Sequence, residues 1–286
     1  MLPTFFVIGA AKCGTTSLHY YLGCHPQIHM SPVKEPCFFL EDDPARPLPW
    51  RVGRRDAYER LFESEAAVRG ESSTTYSQYP WWSGVPERIH ALVPQAKLVY
   101  LVGDPVYTTV SHYLQHATGA GERRPLLEAL GDIEASGNRY TSARRYATQI
   151  EQYLRHFPAS KLLVVDQEEL RSDRRRTLAE VFAFLEVDSD FTSPDFDVVH
   201  NTTRHHRSLT GGYRRLRGGP ARTLVRRLPE GLRAPVVART RRVLSRPAPE
   251  WPALDDATRQ RLTAVYEPEV DRLRAMTGKA FASWSL

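Results

Sequence analysis

The chain has 286 residues, 41% of them hydrophobic and 25% charged, with three cysteines and a net charge of +6. That composition describes a globular protein with enough apolar material for a sizeable core, and it excludes disordered, fibrous and disulfide-stapled chains. No apolar run approaches the ~18–20 residues that cross a bilayer, so no membrane span is expected. Strand-like sequence begins at Thr4, which leaves no room for a signal peptide. Cys13, Cys24 and Cys37 have neither metal-ligand nor disulfide spacing, and a cytoplasmic setting is expected. All but five of the 39 basic residues are arginine, with much of the excess between Arg204 and Arg246. No nucleic-acid-binding motif accompanies them, so nucleic acid is not an expected partner. The arginines read either as a solvated face or, in their first part, as a cover over an anionic ligand.

Along the chain, strand signals alternate with helical ones. Phe5–Ile8 is a short apolar run suited to a buried strand, and Thr16–Leu22 opens a helix. Residues 67–69 predict a short strand leading into Glu71-Ser72-Ser73-Thr74. Leu98–Val102 is continuously apolar, as a strand covered on both faces must be. Asp104 then caps a helix over 106–116, with Pro105 in its first turn. Helical spacing recurs over 140–157, a buried strand over 162–165, and a helix over 177–185. The pattern predicts an α/β fold: a P-loop-like parallel sheet flanked by helices, in one domain covering 1–286. Ligands then belong at the C-terminal ends of the strands. Within that domain, 205–250 reads as a basic helical segment near the ligand entrance.

The chemistry concentrates after the first strand, in Gly9-Ala10-Ala11-Lys12-Cys13-Gly14-Thr15-Thr16-Ser17. A strand, a Gly-bounded loop and a helix start together make an anion cradle, because the first N–H groups of the helix have no partners within it. Lys12 is the full charge in the loop, and Thr15, Thr16 and Ser17 add hydroxyls. The spacing departs from a Walker A loop, which places lysine directly after its second glycine and a hydroxyl on magnesium. Here that position is Thr15 and the lysine sits inside the loop.

With its lysine two residues before Gly14, the loop resembles the 5′-phosphosulfate loop of the sulfotransferases that use 3′-phosphoadenosine 5′-phosphosulfate (PAPS). Two further segments carry the resemblance. Val99–Tyr113 matches the family's strand, R-D-P and helix with a serine, in register at Asp104, Pro105, Ser111 and Tyr113. Lys34-Glu35-Pro36-Cys37-Phe38-Phe39 looks like the K-E-P-x-F-F of the heparan- and carbohydrate-type enzymes and their bacterial relatives. The resemblance implies PAPS as co-substrate, no metal and a hydroxyl acceptor, and the absence of heparan-type acceptor-side charges points to a small molecule or glycoside, with secondary metabolism as the setting. It implies that Lys12 and Glu35 are catalytic, Lys12 at the leaving phosphate and Glu35 as base for the acceptor. It implies that Lys12, Cys13, Gly14, Thr15, Thr16 and Ser17 bind the phosphosulfate, Ser111 the 3′-phosphate, and Arg204 the nucleotide from a later segment. His200–Arg204 and Tyr266-Glu267-Pro268, ahead of Trp284, extend the likeness weakly toward the end of the chain.

Two departures stand out. The family's 3′-phosphate arginine is Gly103 here, which predicts a hole where a guanidinium would lie. Arg204 or Arg207 filling it, a different donor, and an impaired nucleotide-binding protein are the competing readings, with a P-loop kinase further off. Ser72 stands where heparan-type enzymes carry an acceptor-side lysine, which argues against a polyanionic acceptor. Tyr76, Tyr79, Trp81 and Trp82 read as core or as a stacking wall for the acceptor, and His112, His205 and His206 as packing or surface groups rather than metal ligands.

Overall fold

A computed structural model describes residues 1–44, 48–198 and 251–286, together with the backbone of 208–209 and 245–246. Five strands form one parallel sheet: β1 (Phe5–Gly9), β2 (Ile28–Met30), β3 (Val68–Ser72), β4 (Lys97–Val102) and β5 (Leu162–Asp166), in the order β2-β3-β1-β4-β5. The register sets Phe6 beside Glu71 and Leu98, and Val99 beside Leu163. Every residue of β1 and all of β4 after Lys97 are buried, which explains their unbroken apolar sequence. The expected parallel α/β sheet is therefore present.

Helices α1 (Thr15–Gly23), α2 (Arg55–Glu59), α3 (Val85–Leu92), α4 (Pro105–Gln115), α5 (Leu126–Leu130), α6 (Tyr146–Leu154), α7 (Gln167–Ser172) and α8 (Arg174–Leu185) follow in chain order, and a long helix (Asp256–Thr277) comes near the C-terminus. Asp104 Oδ1 accepts from the N–H groups of Val106 and Tyr107 at 2.9 and 3.0 Å, the capping its position predicts. The helix expected over 140–157 is broken: Ser142–Arg144 is a 3₁₀ turn, and α6 begins only at Tyr146.

Contact density divides the chain into two units. The first holds 1–109, 130–200 and 254–286, and so contains the whole parallel sheet. The second holds 110–129 and 201–253. Its described part has the end of α4, a π-helical turn at His116–Ala120, and a two-stranded antiparallel pairing of Ser208 with Arg246 and Leu209 with Ser245. In this unit His112 Nε2 lies 3.1 Å from His116 Nε2, and Tyr113 donates to the Arg124 carbonyl at 2.8 Å. Among the described residues, no helix is long and apolar enough to cross a membrane.

The order of the sheet locates the site. From β1 the chain moves to β2 and β3 on one side, then returns to β4 and β5 on the other. The strand order reverses at β1, because the chain crosses from β3 on one side of it to β4 on the other, and in open parallel sheets ligands bind outside the C-terminal ends of strands at such a point.

Candidate active site

Three segments meet that edge of the first unit: 10–14 after β1, 73–77 after β3, and 103–104 after β4. Ala10 N donates to the Leu101 carbonyl at 2.6 Å, which ties the first to β4. Ser73 N donates to the Val7 carbonyl at 3.1 Å, which ties the second to β1. Gly9 is obligatory here, because a Cβ on it would lie 1.9 Å from Ser77 Oγ and 2.9 Å from the Tyr100 ring. Gly14 caps α1 with φ +90° and brings no side-chain cap to the first turn, which also contains no acid. Lys12 itself has φ +72°, a left-handed conformation that costs a non-glycine residue on the order of 1–3 kcal/mol. The Lys12 ammonium has no hydrogen-bond or ion-pair partner among the described residues. Burial, and then the Arg144 guanidinium beside it, pull its pKa down to about 8. Next to it Cys13 is wholly buried, its thiol 3.6 Å from the Tyr146 hydroxyl and pushed up in pKa by burial.

Glu35 is held differently. It too has positive φ, +62°, and its backbone N–H donates to the Ser72 carbonyl at 2.9 Å. Lys34 Nζ donates to its Oε1 at 2.7 Å, and Thr74 N donates to Oε2 at 2.9 Å. The Thr74 hydroxyl adds contacts at 3.2 and 3.3 Å. Beneath this segment lies Glu71, fully buried at the end of β3, which accepts from the hydroxyls of Tyr58 (2.8 Å), Tyr76 (3.0 Å) and Ser73 (3.2 Å). Ser73 Oγ in turn accepts from Cys37 N at 3.2 Å, and Tyr76 Oη from Phe39 N at 3.3 Å. One carboxylate thus anchors the 37–39 backbone through two hydroxyls. Burial pushes the Glu71 carboxyl up to about 7 despite those bonds.

Gly103 itself is closely packed: a Cβ there would lie 2.5 Å from Gln167 Oε1 and 3.3 Å from Gln167 Cβ, so the first residue of α7 lies against it. The Gly103 carbonyl accepts from Tyr146 Oη at 2.9 Å, and the same hydroxyl is 3.1 Å from Thr108 Oγ1.

The structure brings Lys12, Cys13, Gly14, Thr15, Thr16, Ser17 and Glu35 to one edge of the sheet. Ser111 is buried on the part of α4 that belongs to the second unit. Arg204, like Arg207, His205 and His206, lies outside the described residues. Of the aromatic stretch, Tyr76 is core, whereas Tyr79 is exposed and Trp81 donates to the Gly137 carbonyl at 2.7 Å. Among the described residues no cluster of three His, Cys, Asp or Glu side chains is arranged to hold a metal.

Sequence reasoning missed Gln167, the anchoring work of Glu71, and above all Arg144. The Arg144 side chain has no exposure, and its three guanidinium nitrogens have no hydrogen-bond partner among the described residues. Its one sequence signal is a pair of arginines directly before a Tyr-Ala helix start.

Known sulfotransferases match the chain in sequence and in fold. The sulfotransferase domain model matches residues 2–209. The human bifunctional heparan sulfate N-deacetylase/N-sulfotransferase 3 is 31% identical over 207 residues, covering 65% of this chain and 22% of that protein. The Drosophila melanogaster counterpart is 30% identical over 220 residues, covering 65% of this chain and 20% of that protein. The chain therefore spans about a fifth of the curated relatives it matches. A sulfotransferase from Alicyclobacillus acidocaldarius superposes with a TM-score of 0.72 at 25% identity, with both chains covered completely. Mouse sulfotransferase SULT7A1 complexed with PAP shares the fold, with a TM-score of 0.53 at 15% identity over 96% of this chain and 87% of that one. With the family model matched over most of its length and the anion loop at the switch point of its sheet, the chain belongs to the sulfotransferase domain family.

Proposed function

We propose that the protein transfers a sulfuryl group from PAPS to a hydroxyl of a small-molecule or glycoside acceptor. The observation that carries this reading is Lys12, without a partner among the described residues and left-handed in the anion loop, on the same sheet edge as a carboxylate, Glu35, fixed by Lys34 and Thr74. In the transfer, the acceptor oxygen bonds to sulfur as the bond from sulfur to the bridging phosphate oxygen breaks. Glu35 takes the acceptor proton, because an alcohol with a pKa far above 7 attacks poorly while it keeps that proton. The electron pair leaves on the 5′-phosphate of 3′-phosphoadenosine 5′-phosphate (PAP), where Lys12 and the N–H groups of the 14–17 helix start meet the new charge. Thr15, Thr16 and Ser17 complete the cradle, and Ser111 and Arg204 serve the 3′-phosphate end of the nucleotide. The free thiols of Cys13, Cys24 and Cys37 fit a reducing cytoplasm.

An amine acceptor is the second reading, favoured by the N-sulfotransferase named among the relatives. Incubation with sulfur-labelled PAPS and paired hydroxyl and amine acceptor panels, in excess EDTA, tests both. Label transfer that stops in Lys12→Ala supports the proposal, and undiminished transfer by that variant would overturn the assigned chemistry.

A further inference from the structure

The least expected side chain in the first unit is Arg144. It ends the 3₁₀ turn before α6, has no exposure, and presents Nε, Nη1 and Nη2 to no acceptor. A guanidinium cannot escape burial by losing its proton, as a lysine can. An unpaired buried charge is among the costliest features a fold can carry.

The groups that feel Arg144 are Lys12 and Cys13 of the anion loop, Tyr100 of β4, Tyr146 of α6, and Tyr266 of the C-terminal helix. None of these is an acid that could pair with it. The carboxylates sharing those neighbours are engaged elsewhere. Glu269 accepts from Thr148 N and Oγ1 and from Arg272. Asp166 accepts from Glu168 N and Trp284, and Asp104 from Val106, Tyr107 and Ser285 N–H groups. Among the described residues, Lys12 and Arg144 are therefore two cations at the loop with no carboxylate bonded to either. Tyr146, which follows Arg144 by two residues, bonds the carbonyl of Gly103, where the resemblance expected an arginine.

We propose that Arg144 is a positioning residue for the nucleotide: its buried charge, which acts on Lys12 and Cys13 of the loop, holds the anionic 5′ group and replaces the charge missing at 103. This rests on the PAPS reading and adds to it the source of the lost charge. The fold tolerates the unpaired cation because the bound anion is its partner. A purely structural arginine would behave in the opposite way, since its removal would weaken the unliganded fold.

The test is calorimetric titration with PAP and with adenosine 5′-monophosphate of the wild-type chain, R144M, R144Q and R144K, beside thermal unfolding without ligand. The expected result is a neutral variant that melts no lower than wild type yet binds both nucleotides about 10- to 100-fold more weakly. R144K is expected to stay within a few-fold of wild type. Wild-type affinity for PAP in a folded neutral variant would overturn the proposal. So would failure of both neutral variants to fold, which would make Arg144 structural. Weakening confined to PAP would overturn it as well, by moving the charge to the 3′-phosphate. Absence of PAP binding by the wild-type chain would remove the donor reading itself, before any variant is compared.

Discussion

The two halves of the site keep their charges in opposite ways. On the acceptor side, Glu35 is bound by Lys34 and by both polar groups of Thr74, over a floor fixed by Glu71. On the donor side, Lys12 and Arg144 have no acidic partner among the described residues, and α1 begins without a side-chain cap. A group that must take a proton along one line gains from being oriented in advance. A group that must receive a dianion gains from having no competing partner to displace. The difference teaches that this chain fixes its base by structure and leaves its cations for the ligand.

The comparison is broken most severely at Lys12. Lys12→Ala is expected to lower kcat about 10³-fold at saturating PAPS, roughly 4 kcal/mol of transition-state stabilisation, in a steady-state assay. Glu35→Gln is expected to lower kcat about 10²-fold while PAP affinity stays within about threefold, since the carboxylate serves the acceptor and not the nucleotide. If PAP affinity fell in parallel with kcat, the two halves would not be separate.

Glu71 makes the acceptor side respond to pH. Its carboxyl, normally near 4.5, titrates at about 7 in the fold. Between those values the folded chain keeps a proton that the unfolded chain has lost, so stability falls as pH rises through the window. The loss is about 3 kcal/mol between pH 4.5 and 7, read from urea midpoints, and Glu71→Gln should flatten it. A smaller effect sharpens the donor side. Gly103→Arg collides with Gln167 and is expected to destabilise by about 1–2 kcal/mol without tightening PAP binding. Paired with Gln167→Ala, the same arginine should be accommodated and should bind PAP more tightly.

Much of the donor side was legible because strand, loop and helix start lie in one contiguous stretch, where apolar runs and glycines punctuate the chain. β4 and the Asp104 cap were legible for the same reason. β2, three residues long, leaves too short a pattern to detect. The anchoring work of Glu71 was not legible because the hydroxyls that donate to it come from Tyr58, Ser73 and Tyr76, scattered along the sequence. Arg144 was hidden for a geometric reason. The 3₁₀ turn and the break at Arg145, with ψ 71°, take it out of the helical phase that the spacing over 140–157 suggested. Arg204 and Arg207, which the sequence offers as replacements, lie outside the described residues, whereas Arg144 is buried and acts electrostatically on Lys12.

The most direct test is a titration of the chain with PAP in EDTA at pH 7 and at pH 9, beside Lys12→Ala. With Lys12 titrating at about 8 in the free protein, micromolar binding at pH 7 should weaken about tenfold at pH 9, and the alanine variant should lose both the affinity and its pH dependence. PAP binding that requires magnesium, or that is unchanged in Lys12→Ala, would contradict the claim that an unpaired lysine in this loop holds the nucleotide.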